Sequence, residues 1–427
     1  MKTRLIAQLV TVALAALGSG SASAAGFQLL EQNASGIGNA YAGSAAVAEN
    51  ASTIYFNPAG MTQLQDREYS IGIDFVRPTF KFKDRGSISG PLTGNGDDAG
   101  SWAIIPNGYL SWALSKDLYV GVGLGAPFGL VTEYDDPWIG AAQAIKFDIT
   151  TYNINPSIAY RINDKVSVGF GVNWQRMDAE YVRAAAIVNP ALAATRATLD
   201  VSNDAWGWNV GALFTLSPSM RIGVSYRSAI KHELDGDLKI SGPAKDGDPI
   251  GGTLSNGAAS VDVELPDVFV LSVVQQLDRR WEMLGDISWT GWSKIDQLDI
   301  VRRSGPSINQ TVQTLDADFR DTWRIALGAN YQLNDAWKLK FGIAYDQTPV
   351  KGPATRLVSL PDSNRTWFTF GGQWKADKAS TLDLGVAYLN VSESKINNNQ
   401  VRELRGTVTG VYDARVWILG AQYSRAF

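Results

Sequence analysis

Apolar residues return at every second position through segment after segment of this chain. Leu382, Leu384, Val386 and Tyr388 alternate with Asp383, Gly385 and Ala387. Trp323, Ile325, Leu327 and Tyr331 alternate with Arg324, Ala326, Gly328 and Asn330. The same spacing runs through Val166–Trp174, Ile222–Tyr226, Trp281–Trp289 and Leu339–Tyr345. A period of two predicts strands with one apolar face and one small or polar face. Beyond the amino-terminal region, no stretch reaches the ~18 consecutive apolar residues of a membrane helix.

Two architectures are built from such strands. In a soluble sandwich the apolar faces meet in a core. In a membrane barrel they meet lipid, and the polar faces line the lumen. Three features favour the barrel. Aromatic residues mark strand ends (Trp174, Trp289, Trp323, Tyr331, Trp374), as an interfacial girdle requires. Arg324 and Asp383 hold interior positions that a dry core rejects without partners. Connections alternate between tight polar turns, near 115–117, 163–165, 217–219, 278–280, 334–336 and 376–378, and long loops. The loops are read near 83–100, 131–145, 184–200, 232–258, 302–316, 348–364 and 391–408. This pattern predicts an all-β, antiparallel transmembrane barrel of about 14 strands. Trp417, Leu419, Tyr423 and Phe427 share one parity on a final strand, like the terminal signal of outer-membrane barrels.

Composition narrows the chemistry. The 427 residues include no cysteine and a single histidine, His232. Disulfides, thiol nucleophiles and cysteine- or multi-histidine metal sites are thereby removed. Lys and Arg number 38 against 42 Asp and Glu, too balanced for a nucleic-acid binder. Gly121, Gly123 and Ala126 have dinucleotide-fingerprint spacing, but Pro127 denies the strand–turn–helix context. His232 has no serine motif beside it, so an enzyme is not expected, nor any metal or cofactor. Asp97-Asp98 and Asp135-Asp136 read as solvated loop charge, with divalent cations or lipopolysaccharide as the alternative.

Residues 1–24 have the positive start, apolar run and small-residue end of a secretory signal peptide, cut after Ala24. Residues 25–66 show no sustained alternation and hold Phe27, Leu29, Leu30, Ile37, Tyr41 and Val47, too apolar for a solvated tail. They are expected to fold into the lumen as a hatch, with one or two short helices in 35–51, ahead of a barrel over 67–427.

Ala25-Gly26-Phe27-Gln28-Leu29, residues 35–43 and Asn57-Pro58-Ala59 resemble the amino terminus and hatch of the FadL family of outer-membrane long-chain fatty acid transporters. Phe319–Gly328, Gly342–Val350 and Ser225–Ser228 are similar to further family segments, so the resemblance covers essentially the whole chain. Residues 51–55 and 57–61 also resemble the branch that takes up aromatic hydrocarbons. The resemblance implies a fourteen-stranded barrel in the Gram-negative outer membrane. It implies passive uptake of long-chain fatty acids or related hydrophobic compounds, hatch movement, and sideways release at a kinked third strand. The partners it implies are those ligands, outer-membrane lipid and lipopolysaccharide; a monomer is the default. A hydrocarbon channel of the same family and a non-specific porin are the alternatives.

The kink falls on Pro127, Phe128 and Gly129, where proline cannot donate to the ladder and glycine weakens it. Carried over from the family, Phe27 touches the ligand and Arg183 holds its carboxylate. The family's lysine is unmatched: Leu315 stands at its position, and nearby Arg320 is the expected substitute. Asn57, Pro58 and Ala59 are read as a structural turn in the hatch with a gating role.

Overall fold

The computed structural model describes residues 26–185, 187–248, 253–305 and 307–427. The expected signal peptide, 1–24, lies outside the described residues. In chain order the strands are Arg67–Asp84 (β1), Ala103–Ala113 (β2), Leu118–Gly125 (β3), Gly129–Glu133 (β4), Lys146–Asn163 (β5), Val166–Ala184 (β6) and Arg196–Ser217 (β7). Then come Met220–Arg227 (β8), Ile230–Ser241 (β9), Gly257–Leu265 (β10), Val268–Gln276 (β11), Trp281–Thr290 (β12), Gln297–Arg302 (β13) and Thr311–Asp316 (β14). Thr322–Gln332 (β15), Trp337–Asp346 (β16), Arg365–Lys375 (β17), Ser380–Val391 (β18), Ser394–Gln400 (β19) and Gly406–Ala426 (β20) complete the set.

Several strands are two segments of one pass through the wall: β3 with β4, β8 with β9, β10 with β11, β12 with β13, β14 with β15, and β18 with β19. The passes number 14, all antiparallel to their neighbours, and β1 pairs with β20 from Glu68–Ala426 to Asp84–Gly410 to close the barrel. Closure leaves no strand at the end of an open sheet, which is what lets strands cross hydrocarbon.

The wall wears two aromatic belts. Trp281 sits against Tyr331 and Trp337 against Trp374 next to the tight turns, and Trp206, Trp208, Tyr226 and Trp323 form the belt at the other end. Between them Phe170, Leu271, Ile287, Leu327, Phe341 and Phe370 face outward and are exposed. Inward positions there are small or polar, such as Ser225, Gly223, Asp286 and Ala326.

Above the upper belt the polarity reverses. On β8, Ile222, Val224 and Tyr226 point out; on β9, Leu234, Leu238 and Ile240 are buried inside while Lys231, Glu233, Asp235 and Lys239 face water. On β7, Trp206, Trp208 and Val210 point out below, whereas Ala197, Leu199 and Val201 point in above. This reversal corrects the loop reading of the sequence. Much of 232–258, 302–316 and 391–408 is strand (β9, β14, β19), standing clear of the hydrocarbon and built to the opposite amphipathic rule.

The segment before β1 fills the lower lumen. A 3-10 turn, Ile37–Asn39, lies within the expected helical stretch; the short helix Thr53–Phe56 (α1) and the 3-10 turn Pro58–Gln63 fall after it. Wall glycines receive this hatch. A Cβ on Gly223 would stand 1.9 Å from Ala45 O, one on Gly342 2.2 Å from the Asn39 carbonyl carbon, and one on Gly211 2.0 Å from Asn57 Oδ1. The glycine-rich inner face is thus a set of notches in which another backbone lies.

Candidate functional site

Two cavities lie along the barrel axis. The upper one is lined wholly by apolar and aromatic residues, among them Ile149, Met177, Tyr181, Leu199, Leu234 and Leu315. Its lining comes from the inward positions above the polarity reversal. The lower one lies against the hatch and has a mixed lining: Leu30, Phe56 and Val270 stand beside the charged Arg227, Asp286, Arg324 and Asp346. Four rings stand between them. Phe27 packs edge-on against Trp292 at 4.9 Å between centroids and Phe128 at 5.9 Å, and Trp292 meets Phe319 at 6.0 Å. Phe27 and Phe319 line the upper cavity and Trp292 the lower one.

Phe27 begins a strap, residues 27–32, laid along the break between β3 and β4. Leu29 N–H donates to Pro127 O at 2.8 Å and Gly129 N–H to Phe27 O at 2.8 Å. Gln32 Nε2 donates to Ala126 O at 2.7 Å, and Tyr109 Oη donates to Gln32 O at 2.7 Å. Phe128 and Thr151 exchange hydrogen bonds across the same break. The wall itself is open there. β2 pairs with β3 from Gly108–Leu124 to Ala113–Tyr119, and β4 pairs with β5, so residues 103–107 have no ladder partner on that side among the described residues. Above the opening, Glu133 N–H donates to Ala99 O at 3.0 Å. Trp102 and Ile104 flank it on the outer face, both exposed. Pro127, Phe128 and Gly129 therefore sit at a break in the third pass, with the strap as its inner cover.

At one edge of the upper cavity, behind Tyr181 and outside the lining itself, stands a cationic rim. Arg183, at the top of β6, donates from Nε to Gln313 Oε1 and from Nη1 to Ala184 O at 3.0 Å. Gln313 Nε2 donates to Tyr181 Oη at 2.7 Å, and Tyr181 lines the cavity. Arg405 Nη2 donates to the neighbouring Val312 O at 3.4 Å. Neither Arg183 nor Arg405 has a carboxylate within 4.0 Å among the described residues. Leu315 is part of the cavity wall. Arg320 is not brought to this rim: its Nε donates to Thr348 O at 3.2 Å, because the chain turns away between β14 and β15. Arg405 was not singled out in the sequence; it lies in a stretch read as loop, and no local motif marks it.

The remaining residues serve the hatch. Asn57 is fully buried; Oδ1 accepts from Ala59 N–H at 3.1 Å while Nδ2 donates to Ala45 O at 2.7 Å and Ala212 O at 3.0 Å. Pro58 opens the 3-10 turn that follows, and Ala59 N lies where a Cβ on Gly169 would be. Lower down, Lys340 Nζ, itself out of solvent, binds the partly buried Glu49 at 2.5 Å, Asp383 at 3.0 Å and Ser35 O at 2.9 Å. Burial opposes the Glu49 charge, but Lys340 and Lys338 outweigh it and hold the carboxyl below its usual range. Glu31, on the strap, is the converse. It is buried, neither carboxylate oxygen has a hydrogen-bond partner, and burial raises it to about 7 against the pull of its own backbone N–H, Arg365 and Arg324. His232 is buried against Gln175 Oε1 at 3.0 Å, and no metal-holding cluster occurs among the described residues.

Known proteins share this arrangement. The family described as outer membrane protein transport protein (OMPP1/FadL/TodX) matches residues 15–427. The 47 kDa outer membrane protein of Pasteurella multocida is 32% identical over 448 residues, covering 99% of each chain. The long-chain fatty acid transport protein of Escherichia coli O6:H1 is 29% identical over 455 residues, covering 100% of this chain and 99% of that one. The crystal structure of a Pseudomonas aeruginosa FadL homologue superposes with a TM-score of 0.82 at 23% identity, over 94% of this chain and 99% of that one. With the match running to the last residue, the chain belongs to the outer membrane protein transport protein family (OMPP1/FadL/TodX), transporters rather than enzymes, and its barrel stands in the outer membrane of a Gram-negative bacterium.

Proposed function

We propose that the protein takes up long-chain fatty acids, or amphiphiles like them, by binding them in the upper cavity and releasing them sideways into the membrane at the break in its third pass. The observation that carries this is a wholly apolar cavity with two guanidiniums, Arg183 and Arg405, uncompensated at its rim. Each methylene moved from water into such a lining contributes roughly 0.8 kcal/mol, so chain length supplies affinity. The rim supplies a carboxylate partner, with Arg405 in the role left open at Leu315.

The route follows from polarity. Below Phe27 lies a chamber with Asp286, Asp346, Arg227 and Arg324, which an acyl chain avoids. Beside Phe27 lies the wall opening. A ligand seated against Phe27 displaces the strap, not the hatch body, which Lys340, Asn57 and the glycine notches hold. Four strap hydrogen bonds at about 1 kcal/mol each are what the ligand's preference for the open state has to exceed. A neutral hydrocarbon would use the same cavity without the rim. A hatch seated in the lower lumen argues against a non-specific porin.

The test is binding of oleate and of toluene to purified protein in detergent, with Arg183→Ala and Arg405→Ala alongside. Oleate binding weakened about 10–100-fold by either substitution, with toluene unaffected, is the expected result. Equal binding of both ligands, indifferent to the arginines, would assign the protein to hydrocarbon uptake.

A further inference from the structure

The apolar cavity has a side as well as a floor. Val261 and Val263 on β10, Leu298 and Ile300 on β13, and Ile295 just before it all line the cavity. β10 and β13 are neighbours in the wall, yet their ladder consists of Ala259–Arg302 and Ser260–Val301. Pairing resumes lower down, where Gly291 N–H donates to Asp267 O at 3.0 Å and β11 runs with β12. Between these points residues 261–266 face residues 292–300 with no backbone hydrogen bond among the described residues.

The sequence explains why this seam stays unzipped. Pro266 has no N–H to give. Trp292–Lys294 coils into a 3-10 turn, so its backbone bonds locally. Continuing the register from Ser260–Val301 brings Asp262 opposite Asp299, both on the outer side, and like charges facing across a pair of strands oppose pairing. What spans the seam is Lys294 Nζ, 3.6 Å from Glu264 and 3.7 Å from Asp267, a partly exposed and hence weak link. The seam is charged outside and apolar inside, and it begins just above Trp289 and Trp323 of the upper belt.

We propose that this β10–β13 seam is the inlet by which a hydrophobic ligand at the outer surface of the membrane passes into the cavity, separate from the outlet at the third pass. The inference rests on the transport reading above and adds the way in. Lys294 is its latch: sliding aside, it uncovers Val261, Val263, Leu298 and Ile300 without disturbing the paired wall above or below.

The chain has no cysteine, so disulfide locks can be placed without background. Asp262→Cys with Asp299→Cys would close the seam; Gln28→Cys with Phe128→Cys, partners in an antiparallel bridge, would fix the strap over the outlet. Uptake of radiolabelled oleate and toluene by cells carrying each oxidised variant is measured before and after a reductant, with the single-cysteine variants as controls. Expected is a loss of uptake of about tenfold in the oxidised seam variant, reversed by reduction. Val261→Cys with Ile300→Cys repeats the test from the inner face, so that poor folding of one variant does not decide it. Full uptake with the seam locked and the strap lock inhibitory would overturn the inlet and leave the transport reading standing. Full uptake with both locks in place would overturn the transport reading itself.

Discussion

Two acidic residues of the hatch respond to pH in opposite directions. Glu31 is raised from 4.5 to about 7 by burial, so its seated form is the protonated one. Below the unfolded value both states are neutral and nothing is lost; between pH 4.5 and 7 the displaced strap ionises first, and seating weakens by up to ~3 kcal/mol. Glu49, held down by Lys340 and Lys338, contributes stability above its unfolded value that is lost as pH falls through its lowered one. The strap is therefore seated more firmly at pH 5 than at pH 8, while the hatch body is not loosened over that interval. Hydrogen exchange of the Leu29 amide checks this: protection should fall from pH 5 to 8 after correction for intrinsic rate. Glu31→Gln should abolish the change. An unchanged slope in Glu31→Gln would show that another group controls the strap.

At the level of elements, the hatch is held by shape and charge together. Gly223→Ala places a methyl group where Ala45 O lies, a clash that typically costs 1–3 kcal/mol. Lys340→Ala leaves Asp383 out of solvent without its cation and near the Glu49 carboxylate, and losing one partner of a buried pair typically costs about 3–5 kcal/mol. Both variants should keep a heat-resistant barrel and raise single-channel conductance in planar bilayers, because the plug loosens while the wall does not. Conductance at the level of the unmodified protein would show the hatch to be held elsewhere. The notches were partly legible: alternation put Gly328 and Gly385 on the inner face, and the lack of alternation in 25–66 pointed to a plug. The helix positions were not, since α1 is a single turn fixed by Asn50, Asn57 and the wall around it. Nor was Arg405, whose site is set by where a long connection crosses the top of the barrel. The upper strands were misread because their apolar side chains face a cavity instead of lipid: on β7 the apolar positions switch from even numbers below to odd above, while across 228–229 the even-numbered apolar positions of β8 and β9 turn from the outer face to the inner.

Seen whole, the molecule has a gradient of polarity along its axis that leaves an apolar ligand few places to go. The upper cavity is wholly apolar, the lower chamber carries four charged side chains, and the wall is incomplete at two heights. Substituting the lower chamber tests this. Asp286→Leu with Arg324→Leu removes its facing charges, and the same change frees Ser44 and Ala40 O from their partners. A variant that folds should pass oleate less selectively to the membrane, with part of the ligand escaping downward. That is measured as fluorescent fatty acid reaching the interior of proteoliposomes holding the protein. No escape would place the barrier at the Phe27 ring cluster instead.

The reversal of amphipathic parity also works as a depth gauge. Slipping the barrel by one pair of residues moves it about 6–7 Å along the strands. An inward slip would draw Lys231 and Glu233 toward hydrocarbon at up to ~2–4 kcal/mol for the lysine, and an outward one would lift Tyr226 and Trp208 of the upper belt into water. The barrel is thus fixed in height to within about one residue pair. The break beside Ile104 is pinned among acyl chains, and the seam at Asp262 is pinned in the aqueous headgroup layer. On the proposed route, a ligand crossing between them would be carried from one stratum of the membrane to the next by a protein that does not itself move up or down.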